Sequence, residues 1–141
     1  MRTMALVLMT LLLPASAAAA DVETTCYAEC EAQTTSNPEY KVCLARKAKA
    51  ADAFLNEAYR ILKSAVRRHA AEMGQPPDIQ LQSLKATQKK WIAYRNANCT
   101  FEDQLAFAGT SIGGNYSACL CALSLERAVD FARIGRQLLS E

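Results

Sequence analysis

The residues of this chain most able to do chemistry are its six cysteines, Cys26, Cys30, Cys43, Cys99, Cys119 and Cys121. An even number of cysteines behind an apolar N-terminal leader is typical of disulfides formed in an oxidising compartment such as a periplasm. Zinc sites usually use Cys-x-x-Cys or Cys/His spacings. Neither occurs here, and the lone His69 is far from every cysteine in sequence. The sequence therefore predicts three disulfides, no metal site and no cofactor.

The closely spaced pair Cys119 and Cys121 raises a second possibility, which is thiol exchange. Redox-active pairs generally have the spacing Cys-x-x-Cys at the start of a helix, where the thiol pKa is lowered. Side chains two residues apart in a helix diverge by about 200°, so these two cysteines would not bond each other without distortion. We expect both to be structural and paired elsewhere, with the connectivity of all six left open.

Acid–base and nucleophilic catalysis find no support in the sequence. Glu102 and Asp103 are adjacent, and adjacent side chains on a helix do not face each other, so they cannot form an acid and base pair. His69 has no nucleophile near it, and neither Ser111 nor Ser117 has a neighbouring histidine. We therefore expect no catalytic residues and a protein that is not an enzyme.

Residues 1–20 have the pattern of a secretory signal peptide. One charge at Arg2 precedes an apolar run over 5–13, and a series of small residues ends at Ala20. A bilayer span needs about 20 apolar residues, so this run is too short and we expect no membrane span. Cleavage near Ala20 would leave 21–141 as a single periplasmic or secreted domain.

The charge balance argues against one class of partner. The whole chain has 16 lysines and arginines and 14 aspartates and glutamates, and the leader removes only Arg2, which leaves a formal charge of +1. Nucleic-acid-binding domains carry a dense basic stripe and a higher pI, whereas the basic residues here occur at spacings typical of solvated helix faces. We expect no nucleic-acid partner.

Helical periodicity without any alternating strand pattern predicts an all-α fold. Residues 21–37 are predicted to form an irregular or short helical lead-in pinned by Cys26 and Cys30. Asn37 is the candidate cap of a first helix, and apolar residues then recur at helical spacing to about Met73.

Two further helices complete the predicted bundle. Asp78 is a candidate cap for a second helix from Ile79 to about Phe107, and a third helix continues to Leu139. Short connections between three helices favour an antiparallel up-down-up arrangement, in which all six cysteines lie near one pole. The predicted fold is a disulfide-stapled antiparallel three-helix bundle.

The connection between the second and third helices is rich in glycine and lies at the cysteine pole. Two adjacent glycines let the backbone adopt left-handed or tight-turn angles. A loop held beside disulfides is a rigid protrusion of the kind that enters a cleft. The candidate partner-binding loop comprises Gly109, Thr110, Ser111, Ile112, Gly113, Gly114, Asn115 and Tyr116.

The stretch 88–99 holds the only tryptophan and combines aromatic residues with an arginine. Leu84, Trp91, Tyr94 and Cys99 are predicted to lie on or near one helical stripe, with Arg95 beside them. A buried guanidinium needs a carboxylate or several carbonyls, because leaving it unpaired costs several kcal/mol. Another segment must therefore bring an acid to this stretch.

We predict that Asp52, Arg95 and Arg127 form one buried charge cluster near the disulfide pole. Counted from the cysteine layer along each helix, Asp52 and Arg127 lie at similar heights, and the long side chain of Arg95 reaches both. Removing one member of a buried network costs ~3–5 kcal/mol. Asp52→Asn is therefore expected to lower thermal stability sharply at neutral pH.

Two sequence elements carry a resemblance to a known family. They are Asp52-x-x-Leu55-Asn56-x-x-Tyr59 and Gln88-x-x-Trp91-x-x-Tyr94-Arg95-x-x-x-Cys99, followed by Cys119 and Arg127. Over about residues 30–130 the chain resembles the LprI-type lysozyme-inhibitor family. The resemblance implies an all-helical periplasmic domain and, for the family's namesake, inhibition of lysozyme. Cys26 and Cys121 are additional to the four-cysteine pattern.

Two functions follow as hypotheses. The first is inhibition of lysozyme or a related cell-wall hydrolase, in which the glycine-rich loop blocks a cleft that works through two carboxylates. The alternative is a non-enzymatic periplasmic module with a structural or protein-interaction role in the cell envelope, because no signature of cleft chemistry is present. Both imply a protein partner, which is a lysozyme or another envelope protein.

Overall fold

The computed structural model describes residues 16–140, with side chains described from Thr25 onward. Four α-helices and no strand are present in this range, namely α1 (Ser16–Gln33), α2 (Asn37–Glu72), α3 (Asp78–Gln104) and α4 (Gly114–Leu138). The predicted all-α class is confirmed, whereas the predicted count of three helices is wrong. Within the same range, no helix combines the length and the apolar character that a membrane crossing requires.

The extra helix is α1, which has 18 residues and lies where the sequence predicted an irregular or short helical lead-in over 21–37. Alanine and glutamate favour a helix here, and Cys26 and Cys30 lie one turn apart, so both sulfurs face the bundle and both are fully buried. The four-residue spacing of these cysteines was the signal of a helix in the sequence. The first five residues of α1 belong to the predicted signal peptide, whose remaining residues 1–15 lie outside the described part of the chain.

The start of α2 differs from the prediction by one residue. Ser36, rather than Asn37, is the N-cap, and its Oγ accepts a hydrogen bond from the Glu39 backbone N–H at 3.4 Å. The Glu39 carboxylate accepts a hydrogen bond from the backbone N–H of Thr35 at 3.2 Å. That bond is the main reason why the pKa of Glu39 is lowered, with further hydrogen bonds from the hydroxyls of Ser36 and Thr35 acting in the same direction.

The boundaries of α3 and α4 are also shifted. Asp78 is the first residue of α3 rather than its cap, and α3 ends at Gln104, before the predicted Phe107. The next helix, α4, begins at Gly114, so the predicted loop residues Gly114 to Tyr116 form its first turn. The connection is therefore shorter and tighter than the sequence pattern indicated, and we call residues 106–113 the α3–α4 loop.

Helix α4 is the centre of the bundle, because it contacts all three other helices. Its largest interface is with α2, where Leu55 and Leu62 pack against Ala128 and Phe131. Helix α1 packs on α2 and α4 at the cysteine pole, and α3 packs mainly on α4. Direct contact between α2 and α3 is sparse, so few interactions hold these two helices together directly.

Three disulfides connect the four helices. Cys26 pairs with Cys121 to join α1 to α4, Cys30 pairs with Cys43 to join α1 to α2, and Cys99 pairs with Cys119 to join α3 to α4. The prediction that the two neighbouring cysteines of α4 bond elsewhere is confirmed. Every cysteine is bonded, and α1 is held by two of the three bridges.

The Cys26–Cys121 bridge is expected to contribute most to stability. It spans 95 residues, against 13 and 20 residues for the other two bridges, and the loop-entropy model gives about 4–5 kcal/mol for the long loop and about 3 for the short ones. Chemical denaturation of Cys26→Ala/Cys121→Ala and of the matched control Cys99→Ala/Cys119→Ala measures the difference. Equal losses in the two double variants would contradict the model.

Candidate functional site

The inner face of α3 carries most of the residues that the sequence singled out. Gln88, Arg95 and Cys99 are buried and Trp91 is half-buried. Tyr94 is 58% exposed, so its predicted place on the same stripe is wrong. The physical reason is helical rotation, since Tyr94 lies about 100° around the helix from Arg95.

Arg95 joins three helices through its guanidinium. Its Nη1 donates hydrogen bonds of 2.8 Å both to Asp52 Oδ1 on α2 and to Ser124 Oγ on α4. Its Nε and Nη2 each donate to Asn96 Oδ1 at 3.2 Å, and the guanidinium lies 5.3 Å from the Trp91 ring centroid. The charge that the sequence required to be paired is therefore paired, and Asp52 is the acid.

Asp52 is more exposed than a buried network requires. Its side chain retains 49% of its accessible surface, against 10% for Arg95. The Asn56 side-chain amide also donates to Asp52 Oδ2 at 3.3 Å. The ion pair is consequently buried at its cationic end and solvated at its anionic end. The loss in free energy of unfolding that we expect for Asp52→Asn is therefore smaller than for a fully buried pair.

Arg127 does not join Asp52, in contrast to the prediction. Its Nε donates to Gln88 Oε1 at 3.4 Å, and its guanidinium lies 5.6 Å from the Trp91 ring centroid and 4.5 Å from that of Phe131. Burial lowers the pKa of Arg127, and Asp130 partly opposes that shift. The α4 residue that shares the Arg95 guanidinium with Asp52 is Ser124, about one turn before Arg127.

The other residues of the two sequence elements support the core. Leu55 is fully buried beside Phe131. The Tyr59 ring lies 5.7 Å from the Phe131 ring, and the Lys63 ammonium lies over Tyr59 at 4.7 Å. These residues hold the bundle together, so the surface that meets a partner must be sought elsewhere.

A shallow cleft of about 350 Å³ opens beside Arg95. It is lined by Ala45, Ala48, Lys49, Asp52, Arg95, Ser117, Leu120 and Ser124. The guanidinium at its floor already donates to Asp52 and Ser124. A ligand seated here would have to compete with those bonds, and the cleft therefore gives no argument for binding.

The α3–α4 loop is fixed at its C-terminal end by Asp103. The Asp103 Oδ1 atom accepts hydrogen bonds from the backbone N–H groups of Gly113 at 2.7 Å and Tyr116 at 3.1 Å. Gly113 is the N-cap of α4 and has no side chain to do this, so a carboxylate from α3 caps α4 at the positive end of its dipole. Sequence reasoning treated Asp103 only as a possible catalytic acid and missed this role.

Two further contacts fix the middle and the base of the loop. The Asn37 side-chain amide at the start of α2 donates to the Thr110 carbonyl at 2.9 Å. The Cys99–Cys119 disulfide joins the two helices that the loop connects. Gly109 makes a tight turn with a 2.7 Å hydrogen bond to the Ala106 carbonyl, and a Cβ at this position would lie only 2.9 Å from that oxygen.

The loop presents apolar surface in a strained conformation. Phe107 is 86% exposed and Ile112 is also exposed. Phe107 and Ala108 have φ angles of 45° and 66°, in the left-handed region that costs roughly 1–2 kcal/mol for a residue with a Cβ. Strain of this kind persists only where the surrounding structure enforces it, and it is often found at binding surfaces.

The chain is similar to known proteins along most of its length. A family model described as "Lysozyme inhibitor LprI" matches residues 16–131. The chain belongs to the LprI family. This assignment confirms the resemblance found in the sequence, and the match includes α1, which the resemblance over about residues 30–130 did not cover.

One curated relative of this LprI-family chain is an uncharacterised protein of Rhizobium meliloti (strain 1021). The two are 30% identical over 108 residues, which cover 72% of this chain and 76% of the relative. No solved structure matches the chain at a significant level. The family is therefore shown by sequence comparison. The structure gives the positions of the residues that carry the family resemblance.

Arg95→Ala is expected to destabilise the protein by ~3–4 kcal/mol, because it leaves Ser124 and Asp52 without their partner and opens a cavity beside Trp91. Asp52→Asn is expected to cost only ~1 kcal/mol, since the solvated carboxylate is the exposed end of the pair. Chemical denaturation with the disulfides intact measures both values.

The matched control is Arg60→Ala, which removes an arginine from an exposed pair with Glu57 on α2. Its free energy of unfolding should not change measurably. A loss for Asp52→Asn as large as that for Arg95→Ala would instead show that the whole network is buried.

Proposed function

We propose that this protein is an extracytoplasmic inhibitor of lysozyme or a related cell-wall hydrolase, and that the α3–α4 loop enters the partner's cleft. Membership of the LprI family implies an inhibitor rather than an enzyme and a protein as the partner. Three disulfides are typical of a protein that folds in an oxidising compartment. A signal peptide cleaved near Ala20 and a periplasmic or secreted location are part of the proposal.

The observation that carries the proposal is the way the α3–α4 loop is held. Asp103, Asn37 and the Cys99–Cys119 disulfide fix its end, middle and base, while Phe107 projects into solvent. A loop that is already ordered loses little conformational entropy on binding. Exposed aromatic residues on such a scaffold are frequent centres of binding energy at interfaces.

The composition of the loop suits the chemistry of the proposed target. Residues 106–113 contain no charged side chain, so nothing in the loop is repelled by a pair of cleft carboxylates. Thr110 and Ser111 supply hydroxyl donors for those carboxylates, and Phe107 and Ile112 supply apolar contact surface. An inhibitor needs only to occupy such a cleft and exclude the polysaccharide.

The formal charge of +1 for residues 21–141 affects the rate at which the protein associates with its partner. Long-range steering needs opposite net charges on the two proteins. The proposed inhibitor therefore associates without strong electrostatic steering, and its inhibition should vary little with salt concentration.

The alternative function is a protein-interaction module of the cell envelope without inhibitory activity. The observation that favours it is the exposed apolar outer face of α3, where Tyr94 and Phe101 are solvated and lie outside the α3–α4 loop. Under this alternative, the loop could be altered without consequence for the partner.

Phe107→Asp is expected to weaken inhibition of a susceptible lysozyme by about tenfold or more, because it places a charge at the centre of the proposed contact and beside the cleft carboxylates. Loss of turbidity of a bacterial cell-wall suspension, measured with increasing amounts of the oxidised protein, gives the inhibition constant. Phe54→Asp on α2 is the matched control, because Phe54 is 57% exposed and far from the loop in sequence.

The Phe54→Asp control should have the same inhibition constant as the unmodified protein. No inhibition of several lysozyme types at tens of micromolar would reject the inhibitor proposal. Inhibition that is equally strong in the Phe107 variant would instead reject the α3–α4 loop as the contact surface.

A further inference from the structure

Two polar side chains beside Trp91 have N–H groups that no described residue accepts. Gln88 is only 7% exposed, and its single hydrogen bond is the one that its Oε1 accepts from Arg127 Nε at 3.4 Å. The amide nitrogen of Gln88 is bonded to the same carbon as that oxygen, so it lies beside the guanidinium. We call Gln88 and Arg127 together the donor pair.

The guanidinium of Arg127 has no acid as a partner. Its Nη1 and Nη2 atoms form no hydrogen bond in the described part of the chain, and none of the ion pairs found there includes it. Asp130, whose charge acts on Arg127, pairs with Arg133 at 3.5 Å instead. Arg95 is the contrast, because it donates to an aspartate and a serine. The fold therefore leaves the charge of Arg127 uncompensated.

Aromatic rings hold this guanidinium in place. It lies 4.5 Å from the Phe131 ring centroid and 5.6 Å from that of Trp91. Burial lowers the pKa of Arg127, which is the direction expected for a cation taken partly out of water without an anion beside it. A partly buried charge without a partner costs stability, and perturbed ionisable groups of this kind are often found at binding sites.

The unused donors are accessible from solvent. Every fully buried side-chain nitrogen or oxygen among the described residues has a hydrogen-bond partner, so the unbonded nitrogens of the donor pair retain some exposed surface. A ligand that supplies oxygen acceptors can therefore reach them in exchange for water. The groups left without a partner are all N–H donors, and they select an anion.

We infer that the donor pair is a binding site for a carboxylate group. A planar guanidinium presents two parallel N–H groups to the two oxygens of a carboxylate, and the Gln88 amide can donate a third hydrogen bond. One cation matches the single negative charge of a carboxylate, whereas a phosphate carries nearly two. Trp91 is half-buried and offers apolar surface to the part of the ligand next to the carboxylate.

A second unpaired cation favours an anion here. The Lys63 ammonium lies over the Tyr59 ring at 4.7 Å, and that ring lies 5.7 Å from the Phe131 ring, which Arg127 also contacts. Lys63 has no ion pair within residues 25–140. Positive charges on α2 and α4 thus act together on a ligand at the donor pair.

This site is separate from the proposed inhibitory surface, because it uses no residue of the α3–α4 loop. Its test needs no lysozyme, so its failure and the failure of the proposed function are separate results. Trp91 is the only tryptophan of the chain, and its fluorescence therefore reports directly on the donor pair.

Titration of the oxidised protein with sodium butyrate measures the binding, with sodium chloride used to keep the ionic strength constant. We expect a saturable change in Trp91 fluorescence with a dissociation constant on the order of 1–10 mM. The thermal unfolding midpoint should rise over the same concentrations, because the ligand binds the folded protein. Butyramide has a similar shape without the charge and should cause neither change.

The carboxylate can come from a free small acid or from the C-terminus of a peptide, since both present the same two oxygens. N-acetylalanine, compared with its amide, represents the peptide end. Tighter binding of butyrate assigns the site to a free acid, and tighter binding of N-acetylalanine assigns it to a peptide end. Inorganic phosphate should bind less tightly than both.

Arg127→Gln should weaken butyrate binding by about tenfold or more, and Gln88→Ala by about threefold. Arg136→Gln is the matched control and should bind like the unmodified protein, because Arg136 is an exposed arginine of the same helix without an ion pair among the described residues. Circular dichroism verifies that each variant is folded. Arg127→Lys, which keeps the charge but loses the planar fork, replaces Arg127→Gln if the latter does not fold, and it should also weaken binding.

Three results would overturn the inference. No response up to tens of millimolar, or equal responses to butyrate and butyramide, would show that there is no carboxylate site. A butyrate response unchanged in the folded Arg127 variant would exclude the donor pair as its location. Phosphate binding tighter than both carboxylates would exclude the assigned ligand class.

Discussion

The pairing of Arg95 is the constraint around which the bundle is arranged. A guanidinium with only a tenth of its side chain exposed must have its donors satisfied. Here the acceptors come from α2 through Asp52, from α4 through Ser124 and from α3 itself through Asn96. Because α2 and α3 share few other contacts, the hydrogen bond from Arg95 to Asp52 is one of the few direct links between these two helices.

The sequence was sufficient for features that depend on periodicity or on an unavoidable energetic cost. Apolar spacing gave the three long helices, and the cost of an unpaired guanidinium showed that an acid must meet Arg95. An even cysteine count behind an apolar leader indicated disulfides. Motif order indicated the family. The helices and the paired arginine follow from the rise and rotation of a helix and from the free-energy cost of an unpaired charge, and the other two features follow from the order and number of residues alone.

Features that depend on which faces meet were beyond the sequence. Arg127 was placed beside Asp52, but it donates to Gln88, and Ser124, about one turn earlier on α4, shares the Arg95 guanidinium with Asp52. Asp103 caps a helix other than its own, and Asn37 binds a carbonyl 73 residues away. These short polar side chains have no periodic signal, so their partners become known only from the tertiary structure. Helix α1 is different, because the i, i+4 spacing of Cys26 and Cys30 did contain the information.

The same helix holds the interior and leads into the proposed binding loop. The inner face of α3 contributes Arg95, Trp91 and Cys99 to the interior, and the disulfide from Cys99 holds the end of α3 against α4. That restraint keeps the strained backbone at Phe107 and Ala108 in place, since a freely moving chain would relax out of left-handed angles. The left-handed backbone of the loop therefore costs stability, and the satisfied pairing of Arg95 on the inner face of α3 offsets that cost.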